Sequence, residues 1–252
     1  MRVIGGYTNY GQSIGILMLD TVFPRIPGDI GNALTYGFPV RYKIVKGAQP
    51  ERIMGHAPEK HLLDPFIQAA KELEAEGVKA ITTSCGFLSR FQAEIAGAVK
   101  VPVFTSALML VPLVHAMLGR TQPIGIFTER AQYMNEEHFR SVGWSSRDIP
   151  VVVKGMKEDA VFPTIFIGNK SSLDTAVLQA EMQEMAEEFI AENPQAGAIV
   201  LECTNMGPFS KVIAELTGVP VFGVNALANF VHQAISPPQY GQGKLRRKTE
   251  MQ

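Results

Sequence analysis

The sequence of 252 residues contains only two cysteines and a single tryptophan. Two cysteines cannot by themselves supply a zinc site, and none of the five histidines has zinc-ligand spacing near them. A disulfide between the two is disfavoured in a reducing compartment, so we expect free thiols. The sequence therefore predicts no metal site.

The sequence also lacks a long uninterrupted apolar segment. A transmembrane helix needs about 20 mostly apolar residues, and the apolar stretch at 101–118 is interrupted by prolines, hydroxyl residues and a histidine. The first ten residues have neither the apolar core nor the cleavage site of a secretory signal. We therefore expect no membrane partner and a cytoplasmic location.

Neither sign of charge dominates the sequence, because 23 basic and 24 acidic residues give a net charge of −1. Nucleic-acid-binding domains usually carry a basic face, so no nucleic-acid partner is predicted. The one basic cluster lies at 244–248, inside a segment from 236 that is rich in proline, glycine and lysine. We expect this segment to be a flexible tail. The remaining composition, 46% hydrophobic and 19% charged, is typical of a globular protein with a substantial core.

Short apolar runs alternate with amphipathic stretches along the chain. The runs show little period-two alternation, which is typical of parallel strands buried on both faces. We predict strands at 13–19, 40–45, 78–82, 101–104, 123–127, 150–153, 198–201 and 219–222. We predict helices at 58–76, 88–99, 107–118, 130–142, 173–191, 209–216 and 227–235. This alternation predicts an α/β fold built on parallel sheet.

The two halves of the chain share short sequences at constant offsets. The tetrapeptide VPVF at 101–104 recurs at 219–222, and Cys203 follows Cys85 by the same 118 residues (203 − 85). The tripeptide IGI at 14–16 recurs at 124–126, an offset of 110. Chance could explain one shared tetrapeptide, but it explains less well the matching position of the only two cysteines. The repeat therefore indicates two related α/β halves.

From the repeat we predict two pseudo-symmetric parallel-sheet α/β subdomains with the active site in the cleft between them. The first spans 1–119 and the second 120–224. We expect a C-terminal helix at 225–235 to complete the first subdomain, followed by the tail at 236–252.

Both cysteines follow a predicted strand and precede a predicted helix. Ligands of such sheets bind at the carboxyl ends of the strands, where helix N-termini offer N–H groups to a substrate carboxylate. The partial positive charge of a helix N-terminus is also expected to lower the pKa of a nearby thiol towards neutrality. Two opposed thiols, Cys85 and Cys203, could remove a proton from one face of a carbon and return one to the other. The alternatives are a structural buried cysteine and a Cys–His nucleophile pair.

The motifs PRIPGD at 24–29, TTSCGFL at 82–88 and LECTNM at 201–206 resemble the aspartate/glutamate racemase superfamily. This superfamily also includes hydantoin racemases, arylmalonate decarboxylases and maleate isomerases. The resemblance implies two α/β subdomains with a site between them, a homodimer, and chemistry without pyridoxal phosphate, metal or any other cofactor. One departure is Cys85-Gly86-Phe87, where amino-acid racemases commonly have Cys-Asn-Thr.

The paired cysteines favour a cofactor-independent racemase or epimerase, in which Cys85 and Cys203 are the acid/base pair acting on an amino acid or a related small carboxylate. One alternative is a decarboxylase or cis–trans isomerase that needs a single cysteine. Another is a non-catalytic protein that binds a small carboxylate. Fold alone does not decide among these functions.

Candidate substrate-binding residues surround the two cysteines and the ends of the first strand of each half. Asp20 could contact a substrate ammonium group, or be an ordinary loop carboxylate. Arg25 could bind a distal carboxylate with its two-pronged guanidinium, or support the loop at 24–29, which we predict to be a lid. The complete set of predicted substrate-binding residues is Asp20, Arg25, Ser84, Gly86, Phe87, Thr128, Thr204 and Asn205.

Overall fold

The computed structural model describes residues 4–54 and 60–239, which form two four-stranded parallel sheets with the same strand order. The first sheet has the order β2-β1-β3-β4, and the second has the order β6-β5-β7-β8. The strands are β1 (Ile14–Leu19), β2 (Val40–Val45), β3 (Ala80–Thr83), β4 (Val103–Phe104), β5 (Ile124–Thr128), β6 (Val151–Gly155), β7 (Ala198–Leu201) and β8 (Val221–Gly223). The predicted α/β fold with two equivalent parallel sheets is confirmed.

Helices connect the strands and cover the sheets. They are α1 (Pro50–Ile53), α2 (Leu63–Ala75), α3 (Gln92–Ala98), α4 (Val111–Met117), α5 (Glu136–Arg140), α6 (Val161–Phe166), α7 (Thr175–Glu192), α8 (Ser210–Thr217) and α9 (Val224–Ile235). The sequence did not predict α1 and α6, which are short. The helix predicted at 130–142 is wrong in extent, because Asn135 caps a helix that begins only at Glu136. Residues 58–59 of the helix predicted at 58–76 lie outside the described residues.

The register of the two sheets reproduces the sequence repeat. Ile14 of β1 is paired with Ala80 of β3, and Ile124 of β5 is paired with Ala198 of β7. These positions differ by the same offsets, 110 and 118 (124 − 14 and 198 − 80), that relate the IGI tripeptides and the cysteines. The repeated sequences therefore occupy equivalent places in equivalent sheets.

A glycine in each first strand allows a helix to pack closely on the sheet. A Cβ added at Gly15 would lie 2.8 Å from Cδ1 of Leu73 in α2, and one added at Gly125 would lie 2.5 Å from Cζ of Phe189 in α7. The two IGI tripeptides therefore share a physical requirement, since only glycine leaves room for the large side chain above it.

The core is continuous across the two halves. Along β7, Ala198 and Val200 belong to a hydrophobic cluster shared with the first sheet, whereas Ile199 and Leu201 face a second cluster with α7. This division follows from the alternation of side chains along a strand. The two sheets are thereby held at a definite position relative to each other, which brings the carboxyl ends of β3 and β7 together.

The helix α9 packs beside the first half of the molecule and also contacts elements next to that half. Leu227 and Ala228 are buried in the shared core, and the ring of His232 stacks on Phe38 with centroids 3.7 Å apart. Residues 240–252 of the predicted tail lie outside the described residues. In the described part of the chain, no helix is both long enough and apolar enough to cross a membrane.

Candidate active site

The two cysteines occupy equivalent positions at the carboxyl ends of their strands. Cys85 follows β3 by two residues, and Cys203 follows β7 by two residues. Each is followed at once by a 3₁₀ turn, Gly86–Phe91 after the first and Thr204–Phe209 after the second, before the next α-helix begins. The predicted helices therefore begin later than expected, but the cysteines lie at the junctions that the sequence predicted.

The backbone around the cysteines confirms this equivalence at the level of single hydrogen bonds. The N–H of Ser84 donates to the carbonyl of Leu17, and the N–H of Glu202 donates to the carbonyl of Phe127, each at 2.9 Å. The residue before each cysteine is thus tied to the end of the neighbouring first strand. The two segments also contact each other, because the Thr204 hydroxyl donates to the carbonyl of Ser84 at 2.7 Å.

Both cysteines line one cavity between the two sheets, with about 380 Å³ of space including its open mouth. Its apolar wall consists of Leu19, Phe23, Pro50, Met54, Phe87 and Phe166. Its polar side chains, apart from the thiols, are Arg25, Ser84, Glu129, Glu202, Thr204 and Asn205. A concave site in which an apolar wall faces converging polar groups is typical of a small-molecule site.

Two buried glutamates lie beside the thiols. Glu129 is 4% exposed and accepts a hydrogen bond from the Cys203 thiol at 3.0 Å through Oε1. Glu202 is 1% exposed and accepts one from the Thr128 hydroxyl at 2.6 Å through Oε2. The other oxygen of each carboxyl group has no hydrogen-bond partner within the described residues. The cavity therefore contains two incompletely satisfied carboxyl groups, an arrangement that costs free energy.

The glutamates hold protons more tightly than usual because they are shielded from water. Burial raises the pKa of Glu129 to about 7, and the Cys203 thiol and Arg130 oppose this effect. Burial raises the pKa of Glu202 to about 8, partly opposed by the Thr128 hydroxyl and reinforced by the charge of Glu129. Near neutral pH both carboxyl groups are therefore close to their titration midpoints.

The predicted lowering of the thiol pKa is wrong. Burial, followed by the charges of nearby glutamates, raises the pKa of Cys85 and of Cys203 above the ordinary thiol value. For Cys85, the N–H groups of Phe87 and Leu88 at the start of the 3₁₀ turn act in the opposite direction. The favourable field of these N–H groups exists, as the sequence predicted, but desolvation is the larger effect.

The loop between β1 and β2 crosses from the first half to the second and forms one wall of the cavity. Arg25 Nη1 donates to Asp29 Oδ1 at 2.7 Å, and Asn205 Nδ2 donates to Asp29 Oδ2 at 2.8 Å. Asn205 follows Cys203 by two residues, and its Oδ1 lies 3.8 Å from the Cys203 sulfur. Asp29, which is 2% exposed, thereby connects the loop arginine to the second cysteine segment.

Most of the predicted site residues come together around the cavity. Those lining it are Arg25, Ser84, Cys85, Gly86, Phe87, Cys203, Thr204 and Asn205. Thr128 is not part of the lining and instead holds Glu202 from behind. Asp20 is not part of the lining either, because its carboxylate accepts from the N–H of Gly47 at 3.1 Å and pairs with Lys46. The roles of these residues in binding or catalysis stay predictions.

Sequence reasoning missed Glu129, Glu202 and Asp29. A signal was present for the two glutamates, since each directly follows a fully buried strand. Charged side chains are rarely buried unless they bind a ligand or pair with another group. For Asp29 there was no comparable signal, because its partners lie four and 176 residues away in the sequence. Among the described residues, no group of three or more His, Cys, Asp or Glu side chains is arranged to hold a metal ion.

Comparison with known proteins places this site in context. A family model described as Asp/Glu/Hydantoin racemase matches residues 50–231. The chain is 30% identical over 240 residues to the dimethylsulfoniopropionate lyase of Durusdinium sp. clade D, which covers 93% of this chain and 79% of that protein. It is 27% identical over 237 residues to dimethylsulfoniopropionate lyase 3 of Emiliania huxleyi, covering 91% of this chain and 61% of that protein. The chain thus spans less than two thirds of the second relative.

Solved structures with the same fold have lower sequence similarity. Unliganded arylmalonate decarboxylase is matched with a TM-score of 0.60 at 13% identity, covering 92% of this chain and 96% of that chain. An aspartate racemase of Picrophilus torridus is matched with a TM-score of 0.54 at 15% identity, covering 88% and 94%. At these identities the likeness concerns the fold alone.

Proposed function

The chain belongs to the Asp/Glu/hydantoin racemase family, as its cysteine motifs predicted, and from this premise we propose that it is a carbon–hydrogen-abstracting lyase. Its substrate is a small carboxylate with a sulfonium group on the β-carbon, of which dimethylsulfoniopropionate is the simplest example. The observation that carries the proposal is the enclosure of both thiols in one mainly apolar cavity. The similarity to proteins named dimethylsulfoniopropionate lyase, over 93% of this chain in one case, supports elimination rather than racemisation.

The proposed reaction begins at Cys85. Its sulfur accepts hydrogen bonds from the N–H groups of Phe87 and Leu88, which stabilise the thiolate form. Burial keeps Cys85 protonated at rest, so its thiol first gives its proton to solvent. The thiolate then takes the proton from the carbon next to the carboxylate, and the electron pair of that C–H bond forms the carbon–carbon double bond. The bond between the β-carbon and sulfur breaks, and its electron pair leaves with the sulfur as neutral dimethyl sulfide. Acrylate remains, and the proton stays on Cys85 until solvent removes it.

Cys203 and Arg25 have supporting roles in the proposed reaction. As the proton leaves, negative charge grows on the substrate carboxylate, and hydrogen-bond donors aimed at that charge lower the barrier. Cys203 has a single S–H, which donates to Glu129 at 3.0 Å, so this thiol acts by holding Glu129 in place rather than by contacting the substrate carboxylate. Arg25 lines the same cavity and is held there by Asp29, which suits it to bind the carboxylate.

The first test is release of dimethyl sulfide. Purified protein is incubated with dimethylsulfoniopropionate, dimethyl sulfide is measured by gas chromatography, and acrylate is measured by proton NMR. We expect equal amounts of the two products. Absence of both, in a protein shown to be folded by circular dichroism, would overturn the lyase proposal.

Replacing each cysteine separately tests the two roles. Loss of a general base commonly costs about 10²–10⁴-fold in rate, so Cys85→Ser should lower the rate by that order. Cys203→Ser keeps a hydrogen-bond donor and should cost less. Large and similar losses of rate from both substitutions would contradict different roles for the two cysteines. They would favour a mechanism in which both thiols act as bases.

One observation favours a second candidate, the two-cysteine racemase or epimerase that the sequence predicts. The thiols lie at equivalent ends of equivalent strands, which suits two bases acting on opposite faces of one carbon. Incubation with the D- and L-forms of aspartate and glutamate in deuterated water tests it by proton NMR. Exchange of the Cα–H signal without any release of dimethyl sulfide would replace the lyase by the racemase.

A further inference from the structure

We propose that Glu129 and Glu202 form a subsite for a small methylated organic cation, a sulfonium or quaternary ammonium group, inside the cavity. The inference rests on the proposed function, since it assigns the part of the substrate that carries the leaving group. It extends that function by naming the two residues that recognise the cation. Glu202 directly precedes Cys203 in its motif, whereas Glu129 lies outside the cysteine motifs.

The first support is the pair of unsatisfied oxygens. Oε2 of Glu129 and Oε1 of Glu202 are buried and have no hydrogen-bond partner in the part of the chain that is described. Both residues line the cavity, and their exposed fractions are 4% and 1%. Buried carboxyl groups are normally paired or hydrogen-bonded, so a ligand that satisfies both is the simplest reason for keeping them there.

The second support is that the carboxyl groups are held in place by other side chains. Glu202 is fixed by the Thr128 hydroxyl at 2.6 Å and packs directly over Gly86, where any side chain would collide with it. Glu129 is fixed by the Cys203 thiol at 3.0 Å. Such preorganisation is typical of a binding site, because the ligand need not order the side chains that contact it.

The third support is the chemistry of the surrounding wall. A methylated cation presents carbon–hydrogen groups rather than N–H donors, so it is best bound by aromatic faces and unpaired negative charge. Phe23, Phe87 and Phe166 line the same cavity as the two glutamates. A primary ammonium group has three N–H donors, one more than the number of unpaired carboxyl oxygens, and the aromatic wall offers no further acceptor. An uncharged group would leave the carboxylates without a counter-charge.

Binding of a cation should be coupled to release of protons. Because the pKa values of Glu129 and Glu202 are about 7 and 8, the two carboxyl groups together hold at least one proton near neutral pH. A bound cation favours the ionised carboxylates, so protons leave as it enters. After elimination the sulfur product is neutral and no longer compensates the carboxylates, which favours its departure. The other titratable or charged groups around the pair are Cys85, Cys203, Arg25 and Arg130.

A pair of ligands that differ only in charge tests the proposal in the unaltered protein. The probes are 3-(trimethylammonio)propionate and 4,4-dimethylpentanoate, which have the same shape, a cationic and an uncharged head group respectively, and the same carboxylate. Isothermal titration calorimetry at pH 7, in two buffers of different ionisation enthalpy, measures affinity and proton release together. We expect the cationic probe to bind at least about tenfold more tightly, a difference of 1.4 kcal/mol, and to release protons. Equal affinity for both probes would overturn the subsite.

Substitution locates the effect on the two glutamates. In the double variant Glu129→Gln, Glu202→Gln, we expect the preference for the cation and the proton release to disappear, while the uncharged probe binds at least as well. Glu215→Gln, on the exposed face of α8, is the matched control and should behave as the unaltered protein. Retention of the full preference by a folded double variant would overturn the assignment.

The same proteins assayed for dimethyl sulfide separate this inference from the proposed function. Cation preference that depends on the glutamates, without dimethyl sulfide release, would overturn the lyase and keep the subsite. Dimethyl sulfide release without cation preference would keep the lyase and overturn the subsite.

Discussion

Gly86 connects the two cysteine motifs at the scale of single residues. It is the first residue after Cys85, and a Cβ at this position would collide with both the carboxyl group and the backbone carbonyl of Glu202. The departure from the Cys-Asn-Thr pattern therefore has a steric reason, since a glutamate precedes the second cysteine and occupies the space of a side chain. The two motifs of this chain fit each other across the cavity.

The steric reason predicts the effect of Gly86→Ala. Because a backbone carbonyl cannot move aside cheaply, we expect a loss of about 1–3 kcal/mol in the free energy of unfolding, measured by urea denaturation. Displacement of Glu202 should also lower dimethyl sulfide release. Gly97→Ala is the control, because a Cβ there meets nothing within 4 Å and lies in the helix α3. It should stabilise the protein by about 0.5–1 kcal/mol, so equal effects of the two substitutions would contradict the steric argument.

At the scale of elements, the loop between β1 and β2 makes specific tertiary contacts although most of it lacks regular secondary structure. The N–H of Val22 donates to Oδ1 of Asn169 at 2.7 Å, and the rings of Phe23 and Phe166 meet edge to face. The loop also packs against the start of α9, where Asn225 Nδ2 donates to the carbonyl of Gly28 at 2.7 Å. It thus joins the two halves over the cavity, in the position of the lid that the sequence predicts.

Gly28→Ala tests this docking. Gly28 has a φ of +99°, and a Cβ there would lie 2.7 Å from Cα of Pro208 in the turn after Cys203. Gly143 has a φ of +90° with nothing near its added Cβ, so Gly143→Ala is a control for backbone strain alone. We expect Gly28→Ala to lower the free energy of unfolding by about 1–3 kcal/mol more than the control does. It should also speed hydrogen exchange of amides within the loop. If both substitutions lower the free energy of unfolding equally and hydrogen exchange in the loop is unchanged, the contact with Pro208 is not tight.

The strands were predicted more accurately than the helices, and the reason lies in their burial. Every residue of β1, β5 and β7 is buried, so the apolar run and the strand coincide within one or two residues. The helices after the cysteines begin instead as 3₁₀ turns, because the segments at Gly86 and Thr204 bend to meet each other across the cavity. Such tertiary contacts leave no periodic pattern in the sequence.

At the scale of the whole molecule, the buried glutamates should make stability depend on pH. Folding raises the pKa of Glu129 to about 7 and of Glu202 to about 8 from an ordinary value of 4.5. Between pH 4.5 and these folded-state values the folded protein holds protons that the unfolded chain has lost, so stability falls as pH rises across this range and levels off above about pH 8. His138, whose burial lowers its pKa to about 4, acts in the opposite direction, but only below its ordinary value of 6.5.

We therefore expect the unfolding free energy to decrease between pH 6.5 and pH 8 by at least about 1.4 kcal/mol, the equivalent of one pKa unit. The measurement is urea denaturation at several pH values in one mixed buffer. In the variant Glu129→Gln, Glu202→Gln the amide groups cannot titrate, so the curve should be flatter over this range. If the unfolding free energy instead rises from pH 6.5 to pH 8, the carboxyl groups of Glu129 and Glu202 are not protonated in the folded protein as assigned.

The sequence by itself determined the parallel α/β fold, the internal repeat and the equivalence of Cys85 and Cys203. These features depend on local patterns of apolar residues and on a constant offset, both of which can be counted along a chain. Tertiary structure alone decided that Glu129 meets the Cys203 thiol and that Thr128 holds Glu202, through hydrogen bonds between residues 74 positions apart. It also decided the direction of the thiol pKa shifts, because desolvation depends on everything packed around a group, and much of that packing comes from residues distant in the sequence.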